Sequence, residues 1–178
     1  MCLLIPTKVI GKENLIKEGR VILACNHMTF WDPVLLVAHI KRKISFVGKK
    51  EIFKNKFARW IFKKLGVIEI DRENIDLTSI KAIMKILKED KVLGIFPEGT
   101  RNRTSDELLP FKEGTTMFAE RTNSPIIPII IEKRPKLFRR NKIIIGEPLR
   151  MEKGKAENTE KLRNIMLEMK EEAVKEKK

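Results

Sequence analysis

The sequence predicts an α/β fold in which a mixed, largely parallel β-sheet is covered by helices. Two observations carry this prediction. Short apolar runs typical of buried strands alternate along the chain with longer segments whose apolar residues recur at helical spacing. The chain has 178 residues, which is enough for one domain with a full core and short for two. We therefore expect a single domain over residues 1–178, with its functional core in residues 20–150 and a charged helix at residues 157–175.

Six apolar runs predict the strands of this sheet. They lie at residues 21–25, 44–48, 67–70, 92–96, 126–131 and 142–146. Pro128 interrupts the fifth run. Because proline has no amide hydrogen to donate, we expect that strand to lie at an edge of the sheet or to carry a bulge.

Five segments between and after these runs predict helices. They cover residues 33–40, 51–65, 76–88, 115–121 and 157–175. In the third segment, Ile80, Ile83, Met84 and Leu87 mark one face at the i, i+3, i+4, i+7 spacing of an amphipathic helix. Gly66 follows the second segment and is expected to end that helix.

The charge balance predicts an anionic partner. Lys and Arg number 38 against 24 Asp and Glu, which gives a net charge of +14. Such an excess suits nucleic acid, an anionic membrane surface or an acidic protein. Aromatic residues make up only 6% with no tyrosine, and the chain has no helix-turn-helix or zinc pattern, which argues against nucleic acid.

The cysteines and the apolar runs bound the compartment. Cys2 and Cys25 form no metal-binding pair and no disulfide framework, which favours a reducing compartment. The N-terminus is too short for a signal peptide. No apolar run approaches the ~18 residues of a transmembrane helix. We therefore expect a soluble or peripheral protein.

The first candidate site lies where the first predicted strand meets the first predicted helix, at residues 26–32. His27 and Asp32 are five residues apart, so a contact between them requires a turn, and Pro33 suits the start of a helix directly after it. Asp32 would then occupy the N-cap. A neutral imidazole oriented by a carboxylate is typical of a general base. The alternative is that Asp32 only caps the helix and His27 is an ordinary loop histidine.

The second candidate site, Phe-Pro-Glu-Gly-Thr-Arg at residues 96–101, also follows a predicted strand. Gly99 allows close approach of a ligand to the backbone, and Arg101 offers a guanidinium suited to phosphate. Arg103 and Lys112 lie nearby in sequence. The alternative is an ordinary polar turn.

Taken together, these stretches resemble the glycerolipid acyltransferases, in particular the 1-acyl-glycerol-3-phosphate acyltransferases. The family's Asn-His-x4-Asp motif matches residues 26–32, with Thr29 in place of the usual serine. Its glycine-strand-Asp-Arg block resembles residues 66–72, its Phe-Pro-Glu-Gly-Thr-Arg motif is complete at residues 96–101, and its proline-bearing apolar segment resembles residues 127–130. The resemblance spans roughly residues 20–149. Bacterial members commonly carry a membrane-embedded segment before the first motif, and we expect that the residues before position 26 here do not form one.

The resemblance implies roles for individual residues. His27 would be the catalytic base, oriented by Asp32. The implied substrate-binding residues are Asn26, Arg72, Glu98, Gly99, Thr100 and Arg101, with Arg101 and then Arg72 placed on the acceptor phosphate. Glu98 would bond an acceptor hydroxyl or hold an arginine. No metal or cofactor is required.

The resemblance also implies the substrates and partners. The acceptor would be a lysophospholipid, with glycerol-3-phosphate or another lysolipid as the alternative. The donor would be acyl-coenzyme A or acyl-acyl carrier protein. A distant alternative is a basic membrane-binding or nucleic-acid-binding module without catalysis.

A rival mechanism would use Cys25 as a nucleophile that forms an acyl-enzyme, although a cysteine within an apolar strand is usually plain core. His39 is expected to face solvent or cap a helix.

Membrane contact is expected through basic segments. Residues 49–64 hold seven basic residues and one acidic residue among several aromatic side chains, although the same apolar residues would equally suit packing on the sheet. A second basic cluster comprises Lys133, Arg134, Lys136, Arg139, Arg140 and Lys142. We therefore expect a cytoplasmic protein bound peripherally to the inner face of the cell membrane.

Overall fold

A computed structural model describes residues 5–49, 56, 59–60, 66–70, 77–105, 107–136, 138–154 and 156–175. Its strands are β1 Thr7–Ile10, β2 Val21–Cys25, β3 Ile44–Lys49, β4 Ile68–Ile70, β5 Val92–Ile95, β6 Ile126–Ile131 and β7 Asn141–Ile145. Its α-helices are α1 Asp32–His39, α2 Leu77–Lys88, α3 Gly114–Thr122 and α4 Asn158–Lys175, and a short 3-10 helix covers Lys12–Asn14. All six predicted strands are present, and β1 is a seventh that the sequence did not predict.

The strands form one seven-stranded mixed sheet in the order β1-β7-β6-β2-β5-β3-β4. The five strands from β6 to β4 are mutually parallel, and β6 and β7 pair antiparallel. The predicted mixed, largely parallel sheet is therefore confirmed. Because β2, β5 and β6 run side by side in the same direction, the segments that follow them meet at one edge of the sheet.

Helices cover both faces of the sheet. Alternate residues of β2 point to opposite sides, as a strand requires: Leu23 packs into a core with Leu35 and Leu36 of α1. Ile22 packs into a second core with residues of α2, α3 and α4, including Ile83, Phe118 and Leu162. All residues of β2 and β6 are buried, whichever face of the sheet they point to. This accounts for the unbroken apolar sequence of both strands.

The prediction that Pro128 marks an edge strand is wrong, because β6 lies in the interior between β7 and β2. The strand accommodates proline where its antiparallel ladder ends. The last regular pair with β7 is Ile129 with Ile145, and the carbonyl of Pro128 accepts a hydrogen bond of 2.9 Å from the amide of Gly146. The pairing then shifts by one residue, since Ile126 faces Leu149. The alternative expectation of an irregularity at Pro128 is thus the one that the structure supports.

The predicted basic helix at residues 51–65 lies almost wholly outside the described residues. Only Lys56, Arg59 and Trp60 of it are described, and their backbone is helical. Across the described parts of the chain, no helix is both long and apolar enough to cross a membrane.

Candidate active site

The strongest candidate site lies at the carboxyl end of β2, in the turn that leads into α1. There the Nδ1 atom of His27 lies 2.9 Å from the Oδ2 atom of Asp32. The His27 side chain is 17% exposed, whereas that of Asp32 is fully buried. With Nδ1–H donating to the carboxylate, Nε2 of His27 carries the lone pair that can accept a proton.

Asp32 organises this turn rather than capping its helix. It is the first helical residue, with Trp31 at the N-cap position, so the predicted N-cap role is wrong. Its Oδ2 atom accepts hydrogen bonds of 2.7 Å from the amides of Met28 and Thr29 in addition to the His27 bond, and its Oδ1 atom accepts the Thr29 hydroxyl at 2.7 Å. Four donors therefore compensate the buried carboxylate and fix the loop that carries His27.

Glu98, in the loop that follows β5, also stabilises the loop that carries His27. Its Oε1 atom accepts the His27 amide at 2.8 Å and its Oε2 atom accepts the Leu109 amide at 3.1 Å. The residue is 3% exposed. Burial raises the pKa of its carboxyl above the ordinary value, and the two amide donors partly offset that rise. This geometry favours a positioning role for Glu98 over the predicted bond to an acceptor hydroxyl or an arginine.

Asn26 is likewise used internally. Its Nδ2 donates to the carbonyl of Ile131 at 3.0 Å, and its Oδ1 accepts the Ile131 amide at 2.8 Å. At 1% exposure, the side chain locks the ends of β2 and β6 together beside His27. The arrangement favours a structural role over the predicted substrate contact.

The loop after β5 reaches the site through Asn102, which the sequence reasoning missed. Its amide donates to the His27 carbonyl at 2.8 Å, and its buried side chain accepts from the amides of Thr104 and Ser105. The sequence could have indicated that Asn102 organises this loop, because asparagine side chains often bond backbone groups two or three residues further along the chain.

The other predicted residues of this loop are at its surface. Thr100 and Arg101 are exposed, and Arg101 directly precedes the residue that bonds the His27 carbonyl. Gly99 has φ +69°, and a Cβ atom there would lie 2.8 Å from the Lys112 side chain. The positive φ explains the glycine, whereas the flexible Lys112 side chain could move aside. Arg72 lies outside the described residues.

Phe96 takes part both in a stack of rings on His27 and in the lining of an apolar cavity. Phe96 stacks on the imidazole with a centroid distance of 4.0 Å, and Phe46 lies 6.0 Å beyond Phe96 at an interplanar angle of 11°. Phe96 also lines a cavity of about 160 Å³ whose walls include Ile83, Met117 and Phe118.

The two remaining candidates have structural environments. Cys25 is fully buried in the core. Burial raises the pKa of its thiol well above the ordinary value, and the charges of Asp32 and Glu98 raise it further, so the thiolate needed for nucleophilic attack is suppressed. His39, at the end of α1, places Nδ1 2.9 Å from the carbonyl of Leu35. Among the described residues, no group of three or more His, Cys, Asp or Glu could hold a metal ion.

Comparison with known proteins identifies the class to which this fold and site belong. Residues 6–132 match the family model described as Acyltransferase. That match covers more than half of the sequence, and the chain therefore belongs to the acyltransferase family.

Individual members of this family are similar to the chain over most of its length. The chain is 38% identical over 148 residues to a 1-acyl-sn-glycerol-3-phosphate acyltransferase of Bacillus subtilis, covering 80% of this chain and 73% of the relative. It is 32% identical over 136 residues to a protein of the same name from Borreliella burgdorferi, of which it spans 54%.

A solved structure shares the fold. The 1-acyl-sn-glycerophosphate (LPA) acyltransferase PlsC from Thermotoga maritima superimposes with a TM-score of 0.77 at 24% identity, over 94% of this chain and 72% of that one. The expected family and fold class are both confirmed.

Proposed function

We propose that the chain transfers a fatty acyl group from an acyl thioester to the free hydroxyl of 1-acyl-glycerol-3-phosphate, which gives phosphatidic acid. The observation that carries this proposal is the His27–Asp32 pair at 2.9 Å, in which His27 stacks on Phe96 and its carbonyl accepts the amide of Asn102, next to Arg101. The names of the Bacillus and Borreliella relatives support the same acceptor.

His27 acts as the general base. Nε2 removes the proton of the acceptor hydroxyl while the hydroxyl oxygen attacks the thioester carbonyl carbon. The tetrahedral intermediate then expels the thiolate, which takes the proton from the imidazolium and leaves as a thiol. Asp32 holds the imidazole in the required tautomer and stabilises its positive charge. General-base assistance of this kind is typically worth about 10²–10⁴ in rate.

The apolar cavity beside Phe96 would receive an acyl chain. Its accessible surface is predominantly apolar, yet Gly99 and Lys112 lie on its rim. An acyl chain lying among Ile83, Met117 and Phe118 would also contact Phe96 and Gly99 of the 96–101 loop, which line the same cavity. Burial of each methylene contributes about 0.8 kcal/mol, so an acyl chain that fills the cavity would bind more tightly than one that leaves part of it empty.

Arg101 is the proposed ligand of the acceptor phosphate, with Arg72 as the second. Its guanidinium is exposed, and its backbone is joined directly to the amide that bonds the His27 carbonyl. Phosphate recognition by a guanidinium is bidentate and directional. Gly99 and Thr100 shape the same turn.

The donor is proposed to be acyl-coenzyme A or acyl-acyl carrier protein, and the enzyme is proposed to act on the cytoplasmic face of the membrane without a metal or cofactor. Both donors are anionic, so the net charge of +14 suits either. The acceptor is a membrane lipid, and peripheral contact with an anionic surface would bring the site to it.

A radiolabelled acyl-transfer assay tests the proposal. The purified protein would be given a labelled acyl thioester with 1-acyl-glycerol-3-phosphate, glycerol-3-phosphate or a lysolipid without a phosphomonoester. We expect label in phosphatidic acid and loss of turnover in His27→Ala. His39→Ala, the other histidine of the chain, is the matched control and should stay active. Preferred transfer to glycerol-3-phosphate would overturn the acceptor assignment, and turnover by His27→Ala would overturn the mechanism.

A further inference from the structure

A basic cavity lies between the β6–β7 loop, residues 132–140, and the loop after β5. Its volume is about 320 Å³. Among the described residues that line it, five are cationic and none is acidic. The five cationic residues are Lys133, Arg134, Lys136, Arg139 and Arg140, and Thr104, Ser105 and Asn141 also line the cavity. A concave site with several cations and hydroxyl groups is chemically suited to a phosphate group.

The cavity is joined to the active-site loop by defined hydrogen bonds. Nη2 of Arg134 donates to the carbonyl oxygens of Asn102 and Ser105 at 2.9 and 3.3 Å. The amide of the same Asn102 donates to the His27 carbonyl. These hydrogen bonds fix one wall of the cavity and connect it, through the backbone of Asn102, to the candidate base His27.

The β6–β7 loop also carries an exposed aromatic side chain, directly before the lining residue Arg139. Phe138 is 75% exposed and has φ +59°, a left-handed conformation that is unusual for a bulky residue. It sits in a tight turn in which the amide of Arg139 donates to the carbonyl of Lys136. Lys136, Arg139 and Arg140 around it are all exposed. The backbone thus holds an apolar ring outward among cations.

The same edge of the sheet carries two more exposed aromatic residues. Phe30 and Trp31, in the turn between His27 and α1, are 56% and 43% exposed. Because β2 and β6 are parallel, this turn and the β6–β7 loop follow strand ends at one edge. Aromatic residues that face outward beside basic residues are typical of surfaces that contact the polar–apolar boundary of a membrane.

We propose that the β6–β7 loop is a docking site for anionic phospholipid, in which a lipid phosphate enters the basic cavity and Phe138 inserts between neighbouring lipids. The combination selects a membrane over a soluble polyanion. A soluble anion would use the cations and leave Phe138 in water, whereas a bilayer surface engages both. Docking at this edge would orient the His27 turn towards the bilayer. The inference goes beyond the proposed acyl transfer, since binding to vesicles does not require turnover.

Co-sedimentation with vesicles tests the site. The full chain would be mixed with vesicles of phosphatidylcholine alone or of an equimolar mixture of phosphatidylcholine and phosphatidylglycerol. We expect binding to the anionic vesicles, and weakening by added salt. Each basic residue near an anionic surface contributes roughly fivefold to partitioning, so the double variant Arg139→Ala, Arg140→Ala should lose roughly twenty-five-fold. Phe138→Ala should bind the vesicles roughly tenfold more weakly. Because the lost contact is apolar, this loss should persist when salt is added.

Matched controls separate this site from net charge and general apolarity. Lys41 and Lys43 are exposed at the opposite edge of the sheet, where β3 begins, so Lys41→Ala with Lys43→Ala removes the same charge elsewhere. Val37→Ala removes a 48% exposed apolar side chain from α1. Both controls should bind vesicles nearly as the parent does. Equal losses in the controls and the loop variants, or no loss in the loop variants, would overturn the proposal.

An activity measurement distinguishes lipid docking from a substrate site. On a monomeric short-chain acceptor without vesicles, Phe138→Ala and the double arginine variant should keep the parent's turnover and KM values. On acceptor embedded in anionic vesicles, both should lose activity in proportion to binding. A raised KM for the monomeric acceptor or the thioester would assign the cavity to a substrate and overturn the lipid assignment. Failure of all transfer with intact vesicle binding would overturn only the proposed function.

Discussion

The substitution Asp32→Asn separates the charge of the buried carboxylate from its geometry. Asp32 accepts three donors at Oδ2 and the Thr29 hydroxyl at Oδ1. An asparagine oxygen in the Oδ2 position keeps its three donors, which include Nδ1–H of His27. Its amide nitrogen then faces the Thr29 hydroxyl, which can rotate to accept. The loop and the imidazole tautomer should therefore survive, and only the negative charge is lost.

The size of the effect follows from that charge. When His27 becomes an imidazolium in the transition state, it gains attraction from the carboxylate. Coulomb's law gives about 4 kcal/mol for unit charges ~4 Å apart at an effective dielectric constant of about 20. At 1.36 kcal/mol per decade, this corresponds to roughly a thousandfold in rate. We expect the loss in kcat, because the imidazolium exists only in the reacting complex.

The measurement compares Asp32→Asn, His27→Ala and the double variant by initial rates of acyl transfer, with circular dichroism as the check on folding. In the proposed mechanism the two residues act as a unit, so the double variant should be no slower than His27→Ala by more than a small factor. A folded Asp32→Asn protein within tenfold of the parent's kcat would refute the proposed role of the charge. If the rate losses of the two single variants multiply in the double variant, the proposed coupling of His27 and Asp32 is refuted.

Three further outcomes test other residues. Arg101→Ala and Arg72→Ala should raise KM for the acceptor more than for the donor, and Arg101→Lys should be impaired because an ammonium cannot bind phosphate bidentately. Exposed Arg103 is the control, and an unchanged acceptor KM in both Ala variants would contradict the assignment. Glu98→Gln should lower the free energy of unfolding by about 1–3 kcal/mol at neutral pH, since an amide can accept from only one of its two amide partners at full strength. Because burial raises the pKa of Glu98, the folded parent binds this proton more tightly than the unfolded chain, so its stability should fall as pH rises from about the ordinary value of 4.5 through the raised one. Urea unfolding should show this slope in the parent and lose it in Glu98→Gln, and an identical slope in both would contradict the interpretation. Cys25→Ser should remain active in the transfer assay, because a buried thiol with a raised pKa is not a nucleophile, whereas full inactivity in a folded variant would favour an acyl-enzyme.

The fold was predictable where one pattern decides it. Unbroken apolar runs identified β2 and β6, because strands buried on both faces have no polar positions. The strand β1 was missed because only Val9 and Ile10 are apolar there, and its pairing partner β7 lies more than a hundred residues away. The position of Pro128 within the sheet was also beyond the sequence, since strand order depends on contacts between distant segments.

The site was predictable in its pairing and less so in its supports. The His27–Asp32 spacing predicted a turn, and the structure has one. The Asn26 and Glu98 side chains, in contrast, were predicted to bind substrate. In the structure Asn26 bonds the amide and carbonyl of Ile131, and Glu98 accepts the amides of His27 and Leu109. Sequence motifs identify positions near a reacting centre, but they do not distinguish a group that contacts substrate from one that holds the loop.

The ring stack beside His27 makes residues 46 and 94 interdependent. A Cβ atom at Gly94 would lie 2.5 Å from the Phe46 ring, and Phe46 is the outer member of the stack that ends on the imidazole. A larger residue at position 94 would displace Phe46 and pass the displacement through Phe96 to His27. Homologues with a side chain at position 94 should therefore carry a smaller residue at position 46, and this covariation would link the interior of the sheet to the evolution of the enzyme's rate.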